Sequence, residues 1–418
     1  MESGVQPALY RSLDTARQNA PQPRQTQLPR TLSPIHQMPV FSIVCSIIET
    51  LVKHDYSYKT MPCKSIILFL CAFFVLGAKA SFADGIPDDV NPAVIYAYFQ
   101  IGDPDEYDQT LSLDLFKKQI REFSTDRYHV ASLDEVIYAQ AEKKPLPPRT
   151  VVLSFEQFDR NFVDTIWPIL KEYGLPFTIV LNASRLDDAE TNGTLPDWGE
   201  AKKFIDNPAV SIAMFPFHYR HLTGLDEEEI GYDINRALAR FREKLDYTPK
   251  YFSYPYGEYS QSTENVLKRY EFSAALTQNS GVVGMSTPRL VLPRFTLTDA
   301  FGEIDRLRVT SAALPFPVSD PQPFGVFAES NPPTLTFTGD RSLSADDLKN
   351  TSCYASGLRK INVSVKDHQV TASANQLFED SKNRINCTIP VAASEDLGDA
   401  DGLRWRWAGF LFVYPDLE

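Results

Sequence analysis

The sequence predicts an α/β protein in which a barrel of about seven β/α units is followed by a small all-β domain of the sandwich type. Two observations support this fold class. Between residues 84 and 318, short apolar runs alternate with segments whose apolar residues recur at helical spacing. Residues 319–333 are rich in proline and are predicted to form a linker. Beyond them, at 334–418, polar and apolar residues alternate as in β-strands.

The predicted barrel repeats a strand followed by a helix. The strands are short apolar runs, at residues 94–99, 151–155, 177–181, 210–214, 251–254, 272–276 and 290–292. The helices cover residues 112–123, 132–141, 162–173, 198–205, 226–245 and 263–270. Ser132 and Glu135 are spaced as a capping box, and residues 226–245 carry one apolar stripe. This regular alternation favours a parallel sheet closed into a barrel.

The tail, residues 334–418, is predicted to hold strands at 334–338 and 361–365 and an aromatic strand at 405–414, with no helix. The aromatic residues are expected to form a core on one face, or alternatively a platform on which sugars stack. Cys353 and Cys387 are the two cysteines of this region, and in an exported chain they favour one disulfide. Two unrelated buried thiols are the alternative.

The N-terminal region resembles a signal peptide that is preceded by additional residues. Residues 61–83 contain a methionine, a lysine, an apolar run at 65–77 and small residues at possible cleavage sites. We therefore expect residues 1–60 to be a non-native, disordered upstream extension, and the mature protein to begin near Ser81 or Asp84. The alternatives are a buried helix at 66–77 or an uncleaved segment that anchors the chain.

Composition narrows the choice of partner and compartment. The net charge is −13, which argues against nucleic-acid binding. No apolar run reaches the 18 or so residues of a membrane span, so none is expected in the mature form. With the signal-like segment, this predicts an exported bacterial protein, either periplasmic or secreted.

The most informative residues are Ser154-Phe155-Glu156-Gln157, which end the apolar strand at 151–155. In parallel α/β units, catalytic side chains lie at the carboxyl ends of the strands. The polar side chains at this position are one carboxylate, Glu156, and one amide, Gln157. Such a pair is poorly suited to holding a catalytic metal, because an amide brings no charge.

Four segments, taken in chain order, resemble the NodB-homology polysaccharide deacetylases, which are carbohydrate esterase 4-like proteins. These segments are residues 146–155, 168–178, 252–259 and 292–295. The tail around Cys353 and Cys387 is similar to a β-domain attached to some secreted members. The resemblance implies a NodB-type distorted (β/α)7 barrel. It also implies hydrolysis of non-peptide carbon–nitrogen bonds in polysaccharides, with a divalent metal, usually zinc, as the cofactor.

In this family one aspartate acts as base, and the next aspartate and two histidines hold the metal. Glu156 occupies the base position and Tyr256 is the motif tyrosine, while Ser253 stands in place of a motif arginine. The metal positions are degraded and carry Gln157, Phe215 and Tyr219. Phe158 replaces the motif glycine, and Phe99 replaces a further histidine. The resemblance therefore implies the fold more firmly than the activity.

Two sets of residues could give the degraded site a function. His218 and His221, with Glu156 or Asp159, could form a shifted zinc site, or the histidines could simply lie on a solvated loop. The aromatic residues Phe99, Phe158, Tyr254 and Trp198 are candidates for glycan binding, or the pocket has filled with apolar side chains and closed.

Two hypotheses for function follow. The first is an exported, catalytically dead deacetylase relative that needs no cofactor and binds or scaffolds an envelope or extracellular polysaccharide. The alternative is an active deacetylase of N- or O-acetylated polysaccharide, with zinc in a rearranged site built from Glu156, His218 and His221.

Overall fold

An eight-stranded parallel sheet forms the centre of the first domain. In this computed structural model its strands are β1 (Ala93–Tyr98), β4 (His129–Val130), β5 (Thr150–Phe155), β6 (Phe177–Leu181), β7 (Val210–Met214), β8 (Tyr251–Ser253), β9 (Ala274–Leu276) and β10 (Phe295–Thr296). Their order in the sheet is β10-β1-β5-β6-β7-β8-β9, and β4 pairs with β5 beside this path. β5, β6 and β7 are buried throughout, as continuous apolar runs in a parallel sheet should be. The predicted barrel is confirmed.

The barrel closes through the chain before β10. Leu292 bridges Leu276 at the end of β9, and Phe295 then pairs with Tyr96 of β1. The prediction of a last strand at 290–292 is therefore wrong by a few residues. Arg289–Val291 form a 3-10 helix, and the two-residue strand β10 follows it. So short a strand has no apolar run by which it can be recognised.

Helices flank the sheet. They are α1 (Leu113–Phe123), α2 (Leu133–Ala141), α3 (Trp167–Glu172), α4 (Ala183–Asn192), α5 (Trp198–Ile205), α6 (Glu227–Leu245), α7 (Gln261–Arg269) and α8 (Ile304–Ser311). A π-helical turn, Phe162–Ile166, precedes α3, and a small parallel pair joins β2 (Gln100–Gly102) to β3 (Thr110–Ser112). The longest helix, α6, begins with a capping box between Asp226 and Glu229 and buries Ile230, Ile234 and Phe241. This stripe is the one that the sequence predicts.

The C-terminal domain consists of two four-stranded sheets. Its strands are β11 (Leu314–Pro315), β12 (Val318–Gln322), β13 (Thr334–Gly339), β14 (Ser352–Ala355), β15 (Asn362–Lys366), β16 (Gln369–Ser373), β17 (Lys382–Ala392) and β18 (Leu403–Val413). The two sheets have the orders β11-β18-β17-β14 and β12-β13-β16-β15. A second hydrophobic core lies in this domain and includes Phe337, Val370 and Phe410. The predicted all-β tail is confirmed.

Two details of the tail differ from the predictions. Part of the predicted linker is strand β12, which pairs with β13 at the edge of its sheet with a register shift between Ser319 and Gln322. An edge strand tolerates proline, so Pro321 does not prevent pairing. A one-turn helix, α9 (Ala345–Lys349), also occurs where no helix is predicted. Five residues are too few to show helical periodicity.

The strand β18 contributes to both hydrophobic cores. Trp407 and Leu411 pack in the barrel core, whereas Ala408 and Phe410 pack in the core of the β domain. Trp407 lies edge-to-face on Phe295 of β10 at 5.2 Å between ring centroids. The aromatic residues from Trp407 onward are therefore core residues on both faces and do not form a platform for sugars, whereas Trp405 is partly buried and lies in neither core.

The structure describes residues 89, 92–102, 110–392 and 403–414, all of which lie in one compact unit. The predictions for residues 1–60 and 61–83 lie outside the described residues. Within the described part, none of the helices has the length and apolar character required to cross a membrane.

Candidate functional site

A cleft of about 270 Å³ opens at the carboxyl ends of β1, β5, β6 and β7. This is the edge at which parallel β/α proteins place their chemistry. The lining residues are Phe99, Glu156, Phe158, Val180, Asn182, Arg185, Leu186, Leu195, Pro196, Phe215 and Tyr219. Aromatic rings thus surround one carboxylate, and the first turn of α4 forms part of the wall.

Glu156 is held by two donors. The guanidinium of Arg294 donates to Oε1 of Glu156 over 2.6 Å, and the Ser253 hydroxyl donates to the same oxygen over 2.7 Å. The Arg294 side chain is fully buried and that of Glu156 is 5% exposed. The carboxylate in the base position is therefore already neutralised by a buried cation, and it accepts both bonds on one oxygen.

Arg294 is not among the site residues that the sequence predicts, yet it contacts Glu156 directly. Its Nε donates to the carbonyl of Thr277, the residue after β9, over 2.7 Å, so the guanidinium is anchored there as well as bound to Glu156. Ser253, which stands where the family motif has an arginine, lies beside it. The charge missing at 253 thus reaches Glu156 from the barrel-closing segment. The signal in the sequence is an arginine inside the otherwise apolar run of residues 290–295.

Gln157 does not line the cleft. Its Oε1 accepts a hydrogen bond from the Ile101 amide over 2.8 Å, and its Nε2 donates to Asp159 over 2.8 Å. Asp159 in turn accepts from the Phe162 amide at 2.8 Å. Both side chains therefore tie β2 and the π-helical turn to the end of β5. In this arrangement Gln157 and Asp159 hold the loop in shape.

Phe215 and Tyr219 form one wall of the cleft. Their rings meet edge-to-face at 4.8 Å, and Tyr219 packs likewise on Tyr256 at 4.8 Å. The Tyr219 hydroxyl accepts a bond from the Tyr256 amide at 3.4 Å. Burial of this hydroxyl, together with the nearby Glu156 carboxylate, raises the pKa of Tyr219. Tyr219 stays protonated and can donate a hydrogen bond.

His218 and His221 bind two different buried carboxylates. Nδ1 of His218 lies 2.6 Å from Asp233 of α6, and Nδ1 of His221 lies 2.8 Å from Glu258. The structure does not join them with Asp159. Across the described ranges, no group of three or more His, Cys, Asp or Glu side chains could hold a metal ion. The residues at the family's metal positions, an amide and two aromatic rings, do not fit zinc.

The turn after β8 carries the motif tyrosine. Tyr256 has φ 57 and ψ 5, a left-handed conformation unusual for a residue with a side chain, and its ring stacks on His221 at 4.2 Å. Gly257 follows with φ +75, and an added Cβ there would lie 2.4 Å from Cβ of Gln278. Only glycine fits this position.

The C-terminal domain contacts the turn at Tyr256 and Gly257 through a lysine side chain. Nζ of Lys382, the first residue of β17, donates to the Tyr256 carbonyl over 2.7 Å and to Oε1 of Gln278 over 2.5 Å. Burial lowers the pKa of Lys382 to about 7, and the neighbouring Arg384 acts in the same direction. A neutral amine still has two hydrogens, which matches its two acceptors.

The four glycan-binding candidates divide into two pairs. Phe99 and Phe158 line the cleft, although Phe158 is only 8% exposed. Tyr254 and Trp198 are not among the residues that line it. Tyr254 is fully buried and donates to the Leu290 carbonyl, while Trp198 donates to Asp187 and packs on Phe241. Both rings belong to the hydrophobic core.

Residues 143–275 match the family described as polysaccharide deacetylase. The chain is 21% identical over 215 residues to the poly-beta-1,6-N-acetyl-D-glucosamine N-deacetylase of Staphylococcus aureus, a match that covers 49% of this chain and 73% of the relative.

Two solved structures are similar over about half of the chain. The Streptococcus pyogenes deacetylase PplD in complex with acetate gives a TM-score of 0.48 at 18% identity, covering 53% of this chain and 97% of the other. A de-N-acetylase from Aggregatibacter actinomycetemcomitans gives 0.48 at 17% identity, covering 53% and 100%.

Proposed function

We propose that this chain, whose residues 143–275 form a divergent polysaccharide deacetylase domain, binds a polysaccharide outside the cell without deacetylating it. The observation that carries the proposal is the set of side chains at the family's metal positions, Gln157, Phe215 and Tyr219. None of them supplies the negative charge or the imidazole nitrogen with which proteins hold zinc. Glu156, the carboxylate that lines the cleft, is itself paired with Arg294, so its charge is compensated inside the protein.

The contacts of these three residues support the same conclusion. Gln157 is bonded to the Ile101 amide, and Phe215 and Tyr219 place rings where imidazoles would be required. A phenyl ring has no lone pair to offer zinc, and a phenol that stays protonated is a weak ligand. Hydrolysis would then have to use ordinary water, whose pKa is about 15.7.

The cleft keeps what sugar binding requires. Phe99 and Tyr219 offer aromatic faces for the apolar side of a sugar ring, and the Tyr219 hydroxyl can donate. The volume of about 270 Å³ lies near the lower end for ligand pockets, and suits a single sugar unit of a chain. Relatives named as poly-beta-1,6-N-acetyl-D-glucosamine N-deacetylases favour a polymer that contains N-acetylglucosamine. Export is proposed from the signal-like residues 61–83.

Calorimetric titration with N-acetylglucosamine oligosaccharides, alongside an acetate-release assay and elemental analysis, tests the proposal. We expect binding, no acetate release and far less than one zinc per chain. Tyr219→Ala should weaken binding about tenfold, because it removes a sugar–aromatic contact that contributes roughly 1 kcal/mol or more to the free energy of binding. Tyr232→Ala, which alters another exposed tyrosine away from the cleft, is the matched control.

The alternative, an active deacetylase that uses Glu156, His218 and His221, makes the opposite prediction. Stoichiometric zinc, together with turnover that a chelator abolishes and added zinc restores, would establish it. Absence of binding to any acetylated oligosaccharide would instead refute the glycan-binding proposal.

A further inference from the structure

We infer that the cleft selects a glycan bearing a carboxylate, such as a uronic acid, and that Arg185 recognises this group; the inference rests on the proposed function. The cleft is lined by two charged side chains, Glu156 and Arg185. The first is neutralised by Arg294. The charge left facing a ligand is therefore the positive charge of Arg185.

The guanidinium of Arg185 has no partner among the residues that the structure describes. Its side chain is exposed at the mouth of the cleft, and within the described part of the chain it makes no hydrogen bond or ion pair through its guanidinium. Two acids lie on the same helix near Arg185, and neither forms an ion pair with it among the described residues. Asp187 is already bound by Arg240 at 2.7 Å and by the Trp198 indole at 2.9 Å, and Asp188, three residues along, is exposed and not paired with Arg185.

The backbone of Arg185 is fixed, although its side chain is exposed. The Arg185 amide donates to Oδ1 of Asn182, which caps α4, and Nδ2 of Asn182 donates to the Pro216 carbonyl over 3.2 Å. These bonds join the start of α4 to the loop that carries Phe215. The guanidinium is thus presented from a fixed backbone, in the cleft that Phe215 and Tyr219 also line.

The chemistry of this arrangement suits an anion. A guanidinium offers parallel N–H donors that match the two oxygens of a carboxylate. The protein as a whole carries a net charge of −13, so an uncompensated cation in its cleft is a local reversal of sign. A neutral polymer would leave this cation without a partner, whereas a glucuronate beside an N-acetylglucosamine would satisfy it while the rings stack on Phe99 and Tyr219.

The test is calorimetric titration of the full chain with three tetrasaccharides. A hyaluronan tetrasaccharide, which alternates glucuronate with N-acetylglucosamine, is compared with its carboxyl-reduced form and with chitotetraose. At low salt we expect the charged tetrasaccharide to bind about tenfold more tightly than the reduced one, and the difference to shrink as salt is added. Arg185→Gln should abolish the difference, and Arg359→Gln, which alters an exposed arginine of the β domain, should preserve it.

The outcomes separate this inference from the proposed function. Equal affinity for the charged and the reduced tetrasaccharides, or binding of chitotetraose alone, would overturn the role of Arg185 and leave glycan binding intact. Failure of all three to bind would overturn both. An affinity difference that survives in Arg185→Gln would show that another group reads the carboxylate.

Discussion

Arg294 donates to Glu156 over 2.6 Å, and this bond joins the segment that closes the barrel to the end of strand β5. The two residues are 138 positions apart in the chain. Their side chains are 0% and 5% exposed, so the pair is shielded from water. The position where a related enzyme would keep its base is thus part of the internal framework of this protein.

Breaking the pair on one side should destabilise the protein. Arg294→Met leaves Glu156 buried without its cation, and we expect a loss of about 3–5 kcal/mol in the free energy of unfolding. The double variant Glu156→Gln/Arg294→Met should be less destabilised than the single one, because no charge remains buried. Urea unfolding followed by tryptophan fluorescence measures both. Lys349→Met, which breaks an exposed pair with Asp346, should change nothing measurable. Wild-type stability in Arg294→Met would contradict the role of the pair.

Gly257→Ala should be far more harmful than a glycine substitution in open space. Both Gly257 and Gly193 have positive φ, of +75 and +67, so alanine at either position costs about 1–2 kcal/mol in backbone strain. At Gly257 the new Cβ would also lie 2.6 Å from the Gln278 backbone nitrogen, whereas at Gly193 nothing lies within 4 Å. We expect a further loss of about 1–3 kcal/mol from this clash. Equal thermal stability of the two variants would argue against it.

Lys382 should make stability depend on pH. Its pKa is about 7 in the folded protein against 10.5 ordinarily, so between these values the unfolded chain binds a proton that the folded protein does not. Stability should therefore rise with pH from about 7 upward, by on the order of 1 kcal/mol per pH unit. Urea unfolding at pH 7, 8 and 9 measures the slope, which Lys382→Met should remove and Lys250→Met, at an exposed site, should retain. A slope unchanged in Lys382→Met would assign it to other groups.

The Cys353–Cys387 disulfide should stabilise the β domain. The two residues lie directly opposite each other on β14 and β17, and the bond closes a loop of 34 residues. The loop-entropy argument gives about 3–4 kcal/mol, so Cys353→Ala/Cys387→Ala should unfold at a clearly lower temperature than the oxidised wild type. Glycan binding should persist below that temperature, since neither cysteine lines the cleft. Free thiols in the native protein, found by non-reducing peptide mapping, would contradict the bond.

The parts of the fold that could be predicted are those with local signals. The strands Phe177–Leu181 and Val210–Met214 match their predicted bounds, because a strand buried on both faces must be a continuous apolar run. Strand β12 is not predicted, because its Asp320-Pro321 resembles a turn. Its position at the edge of a sheet, which lets it tolerate proline, depends on tertiary structure and leaves no local signal in the sequence.

The candidate site was predictable in its residues but less so in its contacts. Glu156, Phe99, Phe158, Phe215 and Tyr219 do meet in one cleft, since parallel strands bring their carboxyl ends together. The bond between Glu156 and Arg294 could not be predicted, because no sequence pattern pairs residues that lie so far apart in the chain. The direction in which the Gln157 side chain points could not be predicted either, because side chains in a loop after a strand no longer alternate regularly between two faces.

The two-sided strand β18 has a consequence for how the protein is made. Trp407 and Leu411 complete the barrel core, yet they are translated long after the barrel's own last strand, β10. The barrel core therefore lacks these side chains until β18 has been translated, and a fragment that stops before β18 leaves apolar surface exposed in both domains. The last described strand is thus needed to complete the first domain as well as the second.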